Sequence, residues 1–297
     1  IFDNKTNNYF IARDRLGIKP LYIFNSSEGV IIASEVNAIL KLIKTTVLDE
    51  VGIRQYKKLR AFHNNRTIYK NISSFPAAHY FNSKTPFKKS QIKRYWDIDF
   101  SNKSNVSDDQ IEDLLYSSVK LRNLSDVAVG TYLSGGLDSS IITCLANQKH
   151  SWTVGFEDNN EFSYAQAVAE KYHTKHHEII VDYSDFIPTL NYMISIRKEP
   201  LSVPNEVLLF IMTREVKKKN TVVLSGEGAD ELFYGYDKIF WWAQNNPWSV
   251  ESFDKYYSYG SNNDLEIIED VMHGYEKYNS SLEKITAFFQ EIICSHY

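Results

Sequence analysis

Residues 127–140 read VAVGTYLSGGLDSS. An apolar run rich in β-branched residues (Val127, Val129, Tyr132, Leu133) stops at Ser134-Gly135-Gly136, after which Leu137, Ile141, Ile142 and Leu145 recur at helical spacing. This predicts a buried strand, a tight turn and a helix. Ser and Gly at such a turn let the backbone approach a ligand and leave the first N–H groups of the helix facing outward, partly positive. A terminus of this kind binds an anion, most often a phosphate. A P-loop would carry Gly-Lys-Ser/Thr here, whereas this loop carries Asp138 followed by Ser139 and Ser140. A carboxylate beside a polyphosphate is repelled by about 4 kcal/mol per charge pair at about 4 Å and an effective dielectric near 20. It is tolerable with a cation between them, so Asp138 reads as a Mg²⁺ ligand.

The 297 residues have room for one large or two ordinary domains, and 43% apolar with 24% charged residues describes a soluble globular chain. A net charge of -4 argues against a nucleic-acid binder, and Lys217–Lys219 reads as the solvated end of a helix. Cys144 and Cys294 are too few and too distant for a disulfide framework, which favours a reducing, cytoplasmic setting. Cys144 reads as a small core residue of the helix after the loop. No apolar run is long enough to span a bilayer, so no membrane partner is expected. The chain begins with Ile1 and no signal-peptide pattern follows, which reads as a cut start.

Residues 1–83 read as strands and turns: a strand over 9–12, a turn at 14–17, a strand over 21–24 pairing with the first, and a third over 30–33. A helix over 34–42 would be capped by Ser34, with Val36, Ile39 and Leu40 on one face. Such edge strands would lack partners, as in a domain missing its first half. Residues 84–107 have linker composition around Tyr95-Trp96, and a helix capped by Ser107 follows, with Ile111, Leu114, Leu115 and Val119 as its apolar stripe.

After the central loop, strands (151–156, 177–181, 221–224) alternate with helices (163–172, 186–196, 206–217). Alternation of this kind gives an α/β fold with a mostly parallel, doubly wound sheet whose ligands sit at the carboxyl ends of the strands. Beyond Tyr236 the chain is rich in Trp and Tyr, with helices near 264–277 and 281–293 and Trp241-Trp242 as helix packing; no chemistry is legible there. His173, His176 and His177 do not read as a metal site, because adjacent residues of a strand point to opposite faces.

The strand over 221–224 runs into Ser225-Gly226-Glu227-Gly228-Ala229-Asp230-Glu231, repeating the strand-into-Ser-Gly device. Two such turns on one sheet would face one crevice. Asp230 would complete the Mg²⁺ site with Asp138, leaving Glu227 for orientation or proton transfer.

In this order, LSGGLDSS, SWTVGF and VLSGEGADELFYGY resemble the synthetase domain of glutamine-hydrolysing asparagine synthetases, a branch of the ATP pyrophosphatases. Upstream, RDRLGIKPLY and ASEVNAIL resemble the later part of that family's glutamine amidotransferase domain, an α+β fold of the N-terminal nucleophile hydrolase type. The resemblance implies domains at 1–83 and 108–297, the first incomplete at its start and the second at its end, joined by the linker over 84–107. It implies that Ser134, Gly135, Gly136, Ser139 and Ser140 hold the pyrophosphate of ATP, that Leu133, Val154, Ser225 and Gly226 line the nucleotide, and that Asp138 and Asp230 hold Mg²⁺. Glu227 would serve formation of an aspartyl-adenylate, and Glu199, in KEPLSVPNE, lies in a loop that resembles one near the family's substrate, though a solvated loop acid is the alternative. The implied reaction activates the aspartate side-chain carboxylate with ATP, and ammonia, drawn from glutamine in the full-length family, then displaces AMP. A homodimer is a possible assembly.

This chain departs from the family at several places. The family's glutaminase nucleophile is an N-terminal cysteine, whereas neither cysteine here is near the start, so ammonium rather than glutamine is the expected nitrogen source. FYGY stands where FGGY is usual. A β-lactam-synthetase-like or other carboxylate-activating enzyme, and an inactive nucleotide-binding remnant, are the alternatives, because the loops read ATP chemistry and not the acceptor.

Overall fold

The computed structural model describes residues 1–84, 87–100, 105–260 and 264–296, with the side chains of residues 89 and 292–296 left aside. Linker residues 85, 86 and 101–104 and the side chain of Cys294 thus lie outside the described residues. Two compact units emerge, one made of residues 1–101, 196–202 and 230–297, the other of 102–195 and 203–229.

The first unit opens with β1 (Phe2–Asp3), β2 (Asn8–Ala12), β3 (Tyr22–Ser26), β4 (Gly29–Ala33), α1 (Val36–Leu40), α2 (Glu50–Leu59), β5 (Ile72–Ser74), β6 (His79–Ser83) and β7 (Lys93–Arg94). These strands form two antiparallel sheets, ordered β1-β2-β6-β7 and β4-β3-β5. The expected pairing of β2 with β3 does not occur. The chain between them is braced by Arg13, whose guanidinium donates to the carbonyls of Gly17, Lys19 and Phe75 and to Ser74 Oγ, and this directs β3 into the second sheet. Ser34 is not the cap of α1 either. The β3–β4 ladder runs to Ala33, so the helix starts only at Val36, with Glu35 at its N-cap and no side-chain cap bond. Val36 and Ile39 are buried as expected, against Ile72.

The second unit contains α3 (Asp108–Arg122), β8 (Val129–Tyr132), α4 (Leu137–Ala146), β9 (His150–Gly155), α5 (Phe162–Lys171), β10 (Lys175–Ile180), most of α6 (Tyr183–Arg197), α7 (Asn205–Val216) and β11 (Val222–Leu224). The sheet order is β10-β9-β8-β11 and every neighbouring pair is parallel. Both faces are covered. Trp152, Met212 and Val216 pack on one, with Tyr132, Val154 and Val223; Leu133, Ala165 and Ala169 pack on the other, beside the buried Thr143–Thr131 hydroxyl pair. The doubly wound α/β reading therefore holds. Gly130 on β8 lies against the Asn220 side chain, where a Cβ would come within 3.0 Å, and Asn220 Oδ1 accepts the Trp152 indole N–H.

Ser107 caps α3 through a reciprocal capping box with Gln110. Its apolar stripe is nonetheless largely outside the core. Leu114 is 67% exposed, Ile111 is exposed too, and only Val119 is buried, because the helix packs on α4 and not on the sheet. Cys144 is half-buried rather than a core residue.

The C-terminal part of the first unit comprises α8 (Ala229–Leu232, from Asp230 on), α9 (Asp237–Asn245), α10 (Val250–Tyr256), α11 (Leu265–His273) and α12 (Ser281–His296). Trp241-Trp242, expected in helix packing, lie in α9, α10 has no counterpart among the expected helices, and α11 stops at His273 rather than 277. Together they build the largest core, in which Phe253, Phe288, Phe289, Ile268 and Trp242 meet Leu59 of α2. Each such buried side chain contributes roughly 1.5–3 kcal/mol. Only half of the Trp241-Trp242 pair is packing, since Trp242 is buried and Trp241 is 66% exposed. A buried ion pair, Lys58 Nζ to Asp254 Oδ1 at 2.5 Å, also ties α2 to α10.

Candidate functional site

In the second unit the chain leaves β8 at Leu133, whose N–H donates to Trp152 O at 2.9 Å and whose carbonyl accepts from Thr153 Oγ1. The Leu133 side chain is 1% exposed, packed on Ala165 and Ala169, so what it can offer a nucleotide is backbone. Gly135 adopts φ +86°, and a Cβ there would stand 2.5 Å from Tyr164 Cβ and 2.7 Å from Ala165 N. Only glycine satisfies both the left-handed backbone and the wall formed by α5.

Gly136 is the N-cap of α4 and supplies no side-chain cap, so the leading amides of this helix are directed outward. Hydroxyls line the turn. Ser134 Oγ accepts from Gly136 N–H at 3.2 Å and is 3.0 Å from Ser139 Oγ, which itself accepts from Ser134 N–H at 3.2 Å. Ser140 Oγ donates to Gly136 O at 2.6 Å, and Ser139 Oγ to the same carbonyl at 3.2 Å. Asp138, half-buried, sits in the first turn of α4.

The second loop leaves β11 at the same edge of the sheet, since β11 runs parallel to β8 with Val222 opposite Val129 and Leu224 opposite Thr131. Ser225 and Gly226 follow directly. A Cβ on Gly226 would lie 2.9 Å from Asp138 Cβ and 3.0 Å from Ser139 N, so the two Ser-Gly loops abut. Gly228 takes φ +89°, and the Glu227 side chain is exposed beside it. Val154, in the strand next to β8, has its side chain against Trp152 and Met212. The turn thus combines an uncapped helix terminus, a glycine backbone, three hydroxyls and a carboxylate, a donor set that fits a polyphosphate carrying a divalent cation.

Asp230 belongs to the first unit, where it opens a tight turn: its carbonyl accepts from Gly235 N–H at 2.7 Å, and a Cβ on Gly235 would overlap its carboxylate. Neighbouring Glu231 is buried and accepts from Tyr236 OH at 2.9 Å, which makes it structural. Among the described residues there is no cluster of three or more His, Cys, Asp or Glu side chains that could hold a metal ion.

Glu199 also lies in the first unit, and it is not a solvated loop acid. Tyr69 OH donates to Lys198 O at 2.6 Å and Tyr56 OH to Leu201 O, pinning the loop on either side of it. Burial pushes its carboxyl up to about 7, against a smaller opposing pull from Arg197. Tyr22 is pushed to about 12 by its own burial and by the Glu199 charge. Two cavities, of about 240 and 480 Å³, share Arg13, Tyr22, Phe62 and Glu199 in their walls. The tyrosines around Glu199 come from positions 22, 56 and 69, too far away in sequence for any local pattern to have announced them.

Among the described residues, no helix is long and apolar enough to cross a membrane. Residues 110–284 match the family model for asparagine synthase, and residues 1–96 match that for a glutamine amidotransferase domain. A Mycobacterium tuberculosis relative is 32% identical over 270 residues, covering 86% of this chain and 41% of its own length. The glutamine-hydrolysing asparagine synthetase 3 of Bacillus subtilis is 31% identical over 265 residues, and asparagine synthetase B of Escherichia coli 31% identical over 260, each covering 80% of this chain and 42% of the relative. The chain thus spans about two-fifths of the length of these curated relatives.

Proposed function

The chain belongs to the asparagine synthase family, and from that premise we propose that it carries the nucleotide-activating part of an ATP-dependent, amide-forming ligase that makes asparagine. The observation that carries this reading is the contact of Gly226 with Asp138 and Ser139, which brings two Ser-Gly loops together at the carboxyl edge of a parallel sheet.

In this reading the amides of Gly135, Gly136 and the first turn of α4, with the Ser134, Ser139 and Ser140 hydroxyls, cradle the β- and γ-phosphates of ATP. Leu133 and Val154 border the nucleotide, and Ser225 and Gly226 close it from the second loop. Asp138 would hold Mg²⁺ beside this cradle, where the ion would supply neutralisation of the departing pyrophosphate's charge. Glu227, exposed at the loop tip, orients the reacting carboxylate or takes a proton from the attacking ammonia. Glu199, desolvated and poised near neutrality, is the second acid–base candidate. Ammonia reaches the acyl-adenylate directly from ammonium or, in a glutamine-hydrolysing assembly, from glutamine, and a homodimer and a cytoplasmic setting complete the proposal.

The test is pyrophosphate release with ATP, Mg²⁺ and ammonium against a panel of carboxylic acids. Aspartate-dependent release with asparagine as product is the expected result; release with another acid alone would move the chain to a different carboxylate-activating ligase. Asp138→Asn should weaken ATP binding by at least tenfold in Mg²⁺ and leave it nearly unchanged in EDTA. Equal affinity of both proteins in Mg²⁺ would overturn the assignment of that residue.

A further inference from the structure

The amino-terminal edge of the sheet in the second unit, at the far ends of the strands from the two loops, gathers charge that the ligase reading does not use. The β9–β10 register sets Lys175 beside His150 and His177 beside Trp152, all on one face by strand alternation. His177 stacks on Trp152 with ring centroids 4.1 Å apart, and His150 Nδ1 lies 2.9 Å from His177 Nε2. Lys219, just beyond α7, holds its Nζ 5.7 Å over the Trp152 ring. Lys149 precedes His150 at the same edge, and its carbonyl accepts from Lys175 N–H at 2.8 Å.

The neighbouring carboxylates do not balance these lysines. Glu215 is engaged by Lys218 through both oxygens, at 2.7 and 2.6 Å. Glu178 and His176 fall on the opposite face of β10, where His176 bonds Ser151 and Thr153. Among the described residues, none of Lys149, Lys175 and Lys219 forms a salt bridge. All three are exposed, and beside Lys219 lies an open groove of about 720 Å³ bordered by Trp152, His177, Lys218 and Lys219 and also by Glu178 and Glu215. In a chain whose net charge is -4, three uncompensated ammonium groups on one edge are a local field, not a general basicity.

We propose that this edge is a binding site for an oligophosphate anion, held by Lys149, Lys175 and Lys219, with His150 and His177 completing its hydrogen bonds. A monocarboxylate would offset one of the three charges, whereas linked phosphates present several anionic oxygens to all of them. Burial first and then Lys219, His150 and Lys175 push His177 down to about 4, and burial followed by Lys149, Lys219 and Lys175 lowers His150 as well. A bound polyanion reverses the lysine contribution, so the imidazoles take up protons as the anion binds. Affinity therefore rises as the pH falls, because the complex binds protons more tightly than the free protein.

The test is imidazole NMR of the full chain in EDTA, titrated with inorganic pyrophosphate and, in parallel, with sulfate at matched ionic strength. The readout is local to this edge, so pyrophosphate held by the loop over 134–140 does not register in it. Pyrophosphate should raise the proton affinity of His177 by at least about tenfold, and sulfate should do far less. Replacing Lys149, Lys175 and Lys219 together by Gln keeps the aliphatic stems and should abolish the response, while Lys175→Gln alone should weaken it. An absent response at millimolar pyrophosphate, an equal response to sulfate, an unchanged response in the triple Gln variant, or a response to single-stranded RNA but not to pyrophosphate would each overturn the proposal.

Discussion

A Cβ placed on Gly226 would stand 2.9 Å from the Cβ of Asp138, so the second Ser-Gly loop rests on the first with no space for a side chain. Gly226→Ala must push one loop away from the other. The expected outcome is a folded protein, with unchanged far-ultraviolet circular dichroism, whose affinity for ATP in Mg²⁺ falls by at least tenfold. Unaltered affinity in a calorimetric titration would show that the two loops do not share a ligand.

Lys58 and Asp254 form an ion pair that is nearly inaccessible to water. Removing one partner leaves the other charge buried, so Lys58→Met or Asp254→Ala alone should cost about 3–5 kcal/mol. Replacing both by apolar residues should cost clearly less than the sum of the single changes. Chemical denaturation of the four proteins of this double-mutant cycle is the check, and strict additivity would contradict the pairing.

The Glu199 carboxyl, raised from 4.5 to about 7 by burial, makes a prediction with a definite sign. Between those two values the unfolded chain ionises this group while the folded protein keeps it protonated, so its contribution to stability is lost as pH rises through that window. Glu199→Gln should match the parent near pH 4 and exceed it at pH 8 by up to about 3 kcal/mol. Denaturation curves at the two pH values decide it; an equal difference at both would mean the carboxyl is not desolvated.

Tyr234 occupies the third position of LFYGY with φ +62°, a conformation that costs an L side chain roughly 1–2 kcal/mol. Its ring meets Phe240 edge-on at 4.7 Å, a contact that offsets about 0.5–1.5 kcal/mol of that strain. Tyr234→Gly should therefore be close to neutral, and Tyr234→Ala, which keeps the strain and loses the ring, should be less stable than Tyr234→Gly by about 1 kcal/mol. The order of the two melting temperatures is the measurement.

What was legible in the sequence is what repeats locally. The run over 127–140 prescribed strand, turn and helix because its apolar spacing changes period at Ser134-Gly135-Gly136, and each element of the parallel sheet followed from the same kind of switch. The pairing of β3 was not legible, because it depends on the Arg13 guanidinium reaching carbonyls and a hydroxyl up to 62 residues away. The α3 stripe misled for a related reason: periodicity fixes which face of a helix is apolar, and packing alone decides whether anything covers it. Glu199 could not be separated from a solvated loop acid by its sequence, because its desolvation comes from side chains remote along the chain. The candidate site divides likewise. Asp138 and the Ser-Gly turns were read from local chemistry, while the wall that Tyr164 and Ala165 raise behind Gly135 needed the fold.

Leu59 shares a core with Phe288, and that contact sets an order of events during synthesis. A ribosome adding about 5–20 residues per second needs roughly 10–50 s to travel from one to the other. Until α12 emerges the core around Leu59 lacks Phe288 and Phe289, whereas every strand of the parallel sheet has by then left the ribosome. The core that α2 shares with α9, α10, α11 and α12 is thus completed only after the parallel sheet encoded between them has been made, and a ribosome halted before α12 would release that core unfinished.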